Sequence, residues 1–498
     1  MEELPEALYG SEQAREIDRR VDGARAPRTE PLMERAGRAL FDLLRRRWPR
    51  ARQIAVVCGP GNNGGDGYVL ARLAQAAGIE PRVMCPGGLG ELRGDAAAAR
   101  ERLLASGVLP GPADAAGLAR ADVVVDALFG TGLRRPLQGE WLDTVRAVNR
   151  CGAPVLAVDL PSGLDADTGR VLGEAVRATV TLALIELKAG MFTGYGRDHC
   201  GEICHDSLGV AAEHFEAVNP LARRLSARSL QGLLRSRSRC AHKGDAGRVL
   251  VIGGGPGMAG AAHLAGVAAY RAGAGLVTVA THPDHSATLG QARPELIVRG
   301  VDGAGPLRPL LASADAVAIG PGLGQDDWAE ELWLAVRDIP QPLVVDADAL
   351  NLLAAGATQR AHWILTPHPG EAGRLLGCQG ADIQHDRFAA VQGITRRFGG
   401  VCVLKGCGSL VQGGPNGATW LCDRGNPGMA SGGMGDVLTG VIVGLLAQGL
   451  APMDAARLGV WCHAVAADEA SAAGGERGLL AQDLFPGIRS TVNALAQP

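Results

Sequence analysis

Short runs of β-branched residues alternate with Ala- and Leu-rich stretches of helical length, and the alternation is run through twice. The first series comprises residues 54–58, 123–126 and 155–159. After a polar, basic stretch from Arg223 to Lys243 it resumes with residues 248–252, 317–319, 343–346, 364–366 and 401–405. A strand covered on both faces has no solvent side to alternate toward, so continuous apolar runs separated by helices specify a parallel sheet between helical layers. A chain of 498 residues also exceeds what one core fills. Two α/β domains are therefore expected, 1–225 and 226–498, joined near Ser226. The 72 glycines, about double the usual ~7% share, suit tight connections between strands and helices.

Open parallel sheets bind ligands beyond the carboxyl ends of their strands, and the distinctive residues fall there. The first run leads into Gly59-Pro60-Gly61-Asn62-Asn63-Gly64-Gly65-Asp66-Gly67, read as a loop of turns at positive φ with a helix starting near Tyr68. The next two lead into Ala127-Leu128-Phe129-Gly130-Thr131-Gly132-Leu133 and Leu160-Pro161-Ser162-Gly163-Leu164-Asp165. Near the end, Asn426 to Asp436 contains glycines at 432, 433 and 435 and runs straight into an apolar helical stretch. Glycines there let a phosphate approach the backbone amides at a helix start. Asp436 is placed to take a proton from an attacking hydroxyl. The plain alternative is a glycine turn capped by an aspartate.

Composition excludes several roles. A formal charge of -3 gives no nucleic-acid surface, and Arg45-Arg46-Arg47 reads as a solvated helix face. The start Met1-Glu2-Glu3-Leu4-Pro5 has no secretory pattern, and no apolar run reaches the ~18 residues of a membrane helix. Eleven scattered cysteines suit reduced thiols in a cytoplasmic enzyme. The cluster His199, Cys200, Cys204 and His205 offers zinc ligands, but at no usual finger spacing.

Taken together, Asn62-Asn63-Gly64-Gly65-Asp66-Gly67, Asp126-Ala127-Leu128-Phe129-Gly130-Thr131-Gly132, Asp159-Leu160-Pro161-Ser162-Gly163, His242-Lys243-Gly244, Gly320-Pro321-Gly322-Leu323-Gly324, Asp346-Ala347-Asp348-Ala349-Leu350-Asn351, Leu365-Thr366-Pro367-His368-Pro369-Gly370-Glu371, Lys405-Gly406 and the closing Gly-Asp loop resemble the bifunctional NAD(P)H-hydrate repair enzymes over nearly the whole chain. These fuse an NAD(P)HX epimerase to an ADP-dependent NAD(P)HX dehydratase. The resemblance implies a Rossmann-like three-layer α/β/α domain followed by a ribokinase-like α/β domain. It implies that both act on NADH or NADPH hydrated at C6 of the nicotinamide ring.

By that resemblance Asn62, Asn63, Gly64, Gly65, Asp66, Gly130, Thr131, Gly132, Leu133, Arg134, Arg135, Pro136 and Asp159 line the epimerase site. Asn63, Asp126 and Ser162 hold a potassium ion there, oxygen ligands suiting a hard cation. Asp159 is the acid/base candidate, the alternative being that it ties down its own loop. In the second domain Lys405, Gly406, Cys407, Gly408, Ser409 and Gly435 hold the nucleotide, with Mg²⁺ accompanying ADP. Ala261, Gly322, His368 and the base Asp436 contact the hydrate. Duller roles stand beside these: helix capping for Asp346 and Asp348, a structural turn for His368, an exposed strand end for Lys405. Met434 stands where the family more often has a small residue. The partners expected are the small-molecule substrates and further copies of the chain. Residues alone also leave open a nucleotide-dependent kinase of a vitamin or sugar hydroxyl, and a nucleotide-sensing module.

Overall fold

The computed structural model describes residues 4–23, 30–356 and 358–496. The chain divides into two compact units, Met1–Arg223 and Arg224–Pro498. Among the described residues no helix is long and apolar enough to cross a membrane.

The first unit is built on six parallel strands in the order Glu80–Met84, Gln53–Cys58, Val123–Ala127, Val155–Val158, Val180–Leu184 and Glu202–Asp206. Alternate residues of each strand feed opposite layers. Ile54, Val56, Val123 and Val125 join one core with Leu40, Leu44 and Leu70, while Ala55, Val57 and Val124 join another with Leu118, Val145 and Val148. That is the two-faced burial the continuous apolar runs demand. The strand order reverses at Gln53–Cys58, which lies between its successor in sequence and Val123–Ala127. Cys58 is in register with Ala127, so the loops leaving these two strands part at a crevice.

The glycines after Cys58 work differently from the expectation. The helix begins at Asn62 rather than near Tyr68, spanning Asn62–Ala76, and none of Gly59, Gly61, Gly64, Gly65 and Gly67 has positive φ. They are small because of what they touch. A Cβ on Gly64 would stand 2.1 Å from the Gly59 carbonyl oxygen, and one on Gly67 2.7 Å from the Ala127 Cβ. The helix therefore presses its first turns onto the strand ends, and six residues read as loop form those turns instead.

The second unit carries Ile297–Gly300, Leu276–Thr281, Arg248–Ile252, Ala316–Ile319, Leu343–Val345, Trp363–Leu365 and Val401–Leu404 as parallel neighbours in that order. Ser409–Gly413 and Thr419–Cys422 then continue the sheet antiparallel, where the pattern had suggested a wholly parallel one. The reason is chain length. Lys405 to Gly408 is too short for a crossover helix, so the chain turns back on itself. Helix Met434–Ala447 is buried at every position from Val437 to Ala447, as an all-round apolar helix must be. It closes tightly on helix Ala259–Arg271, where a Cβ on Gly440 would come 2.1 Å from the Ala265 carbonyl oxygen.

Candidate active sites

In the first unit the crevice gathers Asn63, Asp66, Gly130 and Asp159. Strand Val155–Val158 ends one residue before Asp159, whose φ of +65° is a left-handed conformation rare for a residue with a side chain. Such a backbone costs roughly 1–3 kcal/mol and persists only where surrounding contacts impose it. Here they do: the Asp159 N–H donates to the Leu182 carbonyl at 2.9 Å, and its Oδ1 accepts from the Leu184 N–H at 3.1 Å and from the Lys188 ammonium. Oδ2 points the other way. A Cβ placed on Gly130 would lie 3.4 Å from it and 3.3 Å from Asn63 Oδ1, so only glycine leaves this corner open to a ligand.

Lys188 and Glu186 are the residues sequence reasoning missed. Lys188 is 1% exposed, within 3.0 Å of Glu186 Oε1 and 2.9 Å of the carbonyl oxygens of Leu184 and Glu186. Burial pulls its pKa down, but the Asp159 and Glu186 carboxylates outweigh that and hold it above the ordinary lysine value. The signal was two charges, Glu186 and Lys188, directly after the fully buried run Val180–Leu184.

Burial, with the neighbouring Asp159 and Asp18 carboxylates, pushes Asp66 well above the usual carboxylate range. The crevice thus holds two carboxyl groups in different settings, Asp66 raised by burial and Asp159 paired with a lysine. Gly64 and Gly65 face protein, the latter against Met33, and offer helix-start amides rather than an open wall. Thr131 to Pro136 runs outward from Gly130, with Arg134 3.7 Å from Asp167.

Beneath the crevice Asp126 is 0% exposed. It accepts from Ser162 Oγ at 2.6 Å and from the Ser162 N–H at 2.8 Å, and burial raises its pKa to about 6. Among the described residues no ion pair reaches it, and the Asn63 side-chain nitrogen is buried without a partner. His199 and His205 spend ring nitrogens on the Val176 and Ile185 carbonyls, and among the described residues no group of three or more His, Cys, Asp or Glu side chains could hold a metal ion.

In the second unit Gly433, at φ +90°, turns the chain into helix Met434–Ala447. A Cβ on Gly432 would meet nothing within 4 Å, so the chain is open to solvent just ahead of the helix, whose first-turn amides have no intrahelical acceptor. Asp436 lies in that first turn, its pKa raised to about 7 by burial and then by Asp346, against the pull of Lys405. Lys405 Nζ sits 2.9 Å from Asp346 Oδ1, 3.7 Å from Glu371 Oε2 and 3.3 Å from where a Cβ on Gly435 would be. It is half-buried and aimed inward, not an exposed strand end.

Asp346 makes no capping bond. Its second oxygen accepts from Thr439 Oγ1 at 2.7 Å, while Asp348 serves the Gly324 N–H at 2.9 Å. Gly322 borders Ala261, a Cβ on it standing 3.1 Å from the Ala261 Cβ. Met434 is 5% exposed and joins the hydrophobic core, so it leaves the mouth of the site clear.

His368 combines both readings of it. Its Nδ1 accepts from the Gly370 N–H at 2.9 Å and the Glu371 N–H at 3.4 Å, capping helix Pro369–Leu376. A neutral imidazole that accepts at Nδ1 carries its proton at Nε2. Burial lowers its pKa, which favours that neutral form. The resulting Nε2–H donor lies 3.3 Å from Glu371 Oε1 on a side chain still half open to solvent.

Comparison with known proteins adds to this geometry. Residues 29–190 match the family described as YjeF-related protein N-terminus, and 249–489 match NAD(P)H-hydrate dehydratase. The chain is 48% identical over 488 residues to the bifunctional NAD(P)H-hydrate repair enzyme Nnr of Coxiella burnetii, covering 98% of this chain and 99% of that one. The Escherichia coli enzyme of the same name is 44% identical over 490 residues, covering 98% and 95%. Among solved structures, a ribokinase-like superfamily protein from Enterococcus faecalis is 29% identical with a TM-score of 0.51, covering 56% of this chain and 98% of its own. A hypothetical protein from Streptococcus mutans is 31% identical with a TM-score of 0.50, covering 55% and 99%.

Proposed function

We infer the roles of individual residues from one premise: this chain belongs to the bifunctional NAD(P)H-hydrate repair enzymes, epimerase and dehydratase in a single polypeptide. The first unit interconverts the R and S hydrates, and the second dehydrates the S form with ADP as phosphoryl donor. The crevice of Asn63, Gly130 and Asp159 takes the hydrated ring. Asp66, whose pKa burial raises, protonates the departing C6 hydroxyl, and Asp159, paired with Lys188, takes the proton from the water that returns on the other face.

Potassium fits the donor set below the crevice. The buried Asp126 carboxylate, the Ser162 hydroxyl and the Asn63 amide oxygen beside Gly130 are oxygen atoms that would suit a monovalent ion. Held there, it would compensate the Asp126 charge and fix the Ser162 loop.

In the second unit the observation that carries the reading is Asp436, titrating near neutrality beside open glycine amides and Lys405. Asp436 removes the proton from the C6 hydroxyl. The first-turn amides around Gly432, Gly433 and Gly435 take the charge of the transferring phosphoryl, each well-aimed donor contributing about 3–4 kcal/mol. Phosphate then leaves with the electron pair of its C6–O bond as the ring-nitrogen lone pair forms an iminium, and loss of a proton from C5 restores the C5–C6 double bond, giving NAD(P)H, AMP and phosphate. His368 Nε2 steadies the hydrate, and Lys405 to Ser409 with Gly435 hold the nucleotide. Mg²⁺ accompanying ADP would supply charge neutralisation of its phosphates. Eleven free cysteines suit a reducing compartment, the cytoplasm in this reading.

Purified protein mixed with racemic hydrated NADH, ADP and Mg²⁺ is expected to restore the 340 nm absorbance beyond the S fraction, faster than spontaneous epimerisation. Recovery that halts at the S fraction overturns the epimerase roles, and no ADP-dependent recovery overturns the dehydratase roles. The pH profile gives a second check. A base must be ionised to act, so kcat/KM for the S hydrate is expected to rise tenfold per pH unit below about 7 and level off above it. A flat profile between pH 5.5 and 8, about the range any such limb would occupy, contradicts the role of Asp436.

A further inference from the structure

Arg387, at the start of helix Arg387–Phe398, is 1% exposed. Burying a guanidinium is costly unless its donors are satisfied, and here its donors meet the loop after strand Val401–Leu404. Nη1 donates to Gln384 Oε1 at 2.7 Å, and Nη2 lies 3.2 Å from the Leu404 carbonyl oxygen and 3.3 Å from those of Lys405 and Gly408. Burial lowers its pKa to about 10, so it stays a cation at neutral pH. The loop is shaped around that cation. Gly406 has φ +136°, and a Cβ on it would stand 2.9 Å from Arg387 Nη1, so glycine is what lets the backbone close over the guanidinium.

A trans peptide sets each carbonyl opposite the following N–H. Turning the Lys405 carbonyl inward onto Arg387 therefore turns the Gly406 N–H outward, and no hydrogen bond among the described residues uses that N–H. We propose that Arg387 is a positioning residue for nucleotide binding: it gathers the carbonyls of residues 404, 405 and 408 so that the loop presents its amides and Lys405 to the phosphates of ADP, without touching ADP itself. The proposal rests on the reading that Lys405 to Ser409 hold the nucleotide.

The test uses the full chain with Arg387→Met, Arg387→Lys and, as a probe of the loop itself, Cys407→Trp. Titration calorimetry gives the ADP Kd, steady-state kinetics give KM for ADP and for the S hydrate, and epimerase activity reports the other unit. Arg387→Met is expected to raise the Kd and KM for ADP about tenfold or more, with kcat at saturating ADP and KM for the hydrate within about threefold. Arg387→Lys, which keeps a charge and fewer donors, should recover part of the loss and carries the test if Arg387→Met does not fold. ADP affinity within about twofold of the parent in a folded Arg387 variant overturns the proposal. If Cys407→Trp is equally silent, the nucleotide assignment of the loop falls with it. A uniform fall in kcat and in affinity for both substrates points to a purely structural arginine and also overturns it.

Discussion

Asp436→Asn is expected to lower the ADP-dependent dehydration rate by roughly 10²–10⁴-fold, the scale of a lost general base, while ADP still binds. The substitution keeps shape and removes the titrating group. The reasons for so large an effect are local. Asp436 is held near pH 7 by burial and by Asp346, so it is a far stronger base than an exposed carboxylate, and no other uncommitted carboxylate is at hand. Asp346 spends its oxygens on Lys405 and Thr439, and Glu371 spends one on the His368 N–H at 2.7 Å. Single-turnover dehydration of the S hydrate, with ADP affinity measured separately, checks this. A rate within threefold of the parent, about the noise of such a comparison, sinks the base assignment.

Lys188→Met is expected to destabilise the first unit by about 3–5 kcal/mol and to abolish most epimerase activity. The methionine fills similar volume but leaves Asp159 and Glu186 without the cation that compensates them in a buried setting. Glu186 already titrates near 7 because burial disfavours its charge, and one of its oxygens has no hydrogen-bond partner. Without Lys188 Asp159 also loses one of the three contacts that hold its left-handed backbone. Denaturant unfolding followed by signals from the first unit measures the stability loss. Dehydration of pure S hydrate by the same sample tests whether the second unit is spared. A loss under about 1 kcal/mol contradicts the account.

Much of the fold could be read before any coordinates. Apolar runs such as residues 123–126 are buried on both faces because nothing in them is polar enough to face water, and that property is local. The site loops were legible for the same kind of reason, glycine and carboxylate residues collecting at strand ends. The roles of those glycines were not. Gly64 and Gly67 looked like turn formers, and whether a glycine serves φ or proximity depends on what stands opposite it.

The sequence by itself determined two α/β units, through its alternating apolar and helical runs, and the family, through the order of its glycine- and aspartate-rich motifs; it also singled out Asp159 and Asp436 as candidates, because each is a carboxylate at a strand or helix end. Only the tertiary structure decided that Lys188 compensates Asp159, that Asp346 binds Lys405 and Thr439 instead of capping a helix, and that Arg387 gathers the carbonyls of residues 404, 405 and 408. The pairs 159 and 188, 346 and 405, and 387 and 404 are far apart in the chain. A buried charge takes whichever partner the packing brings within about 3 Å, where low dielectric makes the pairing decisive, and sequence proximity has no part in that choice.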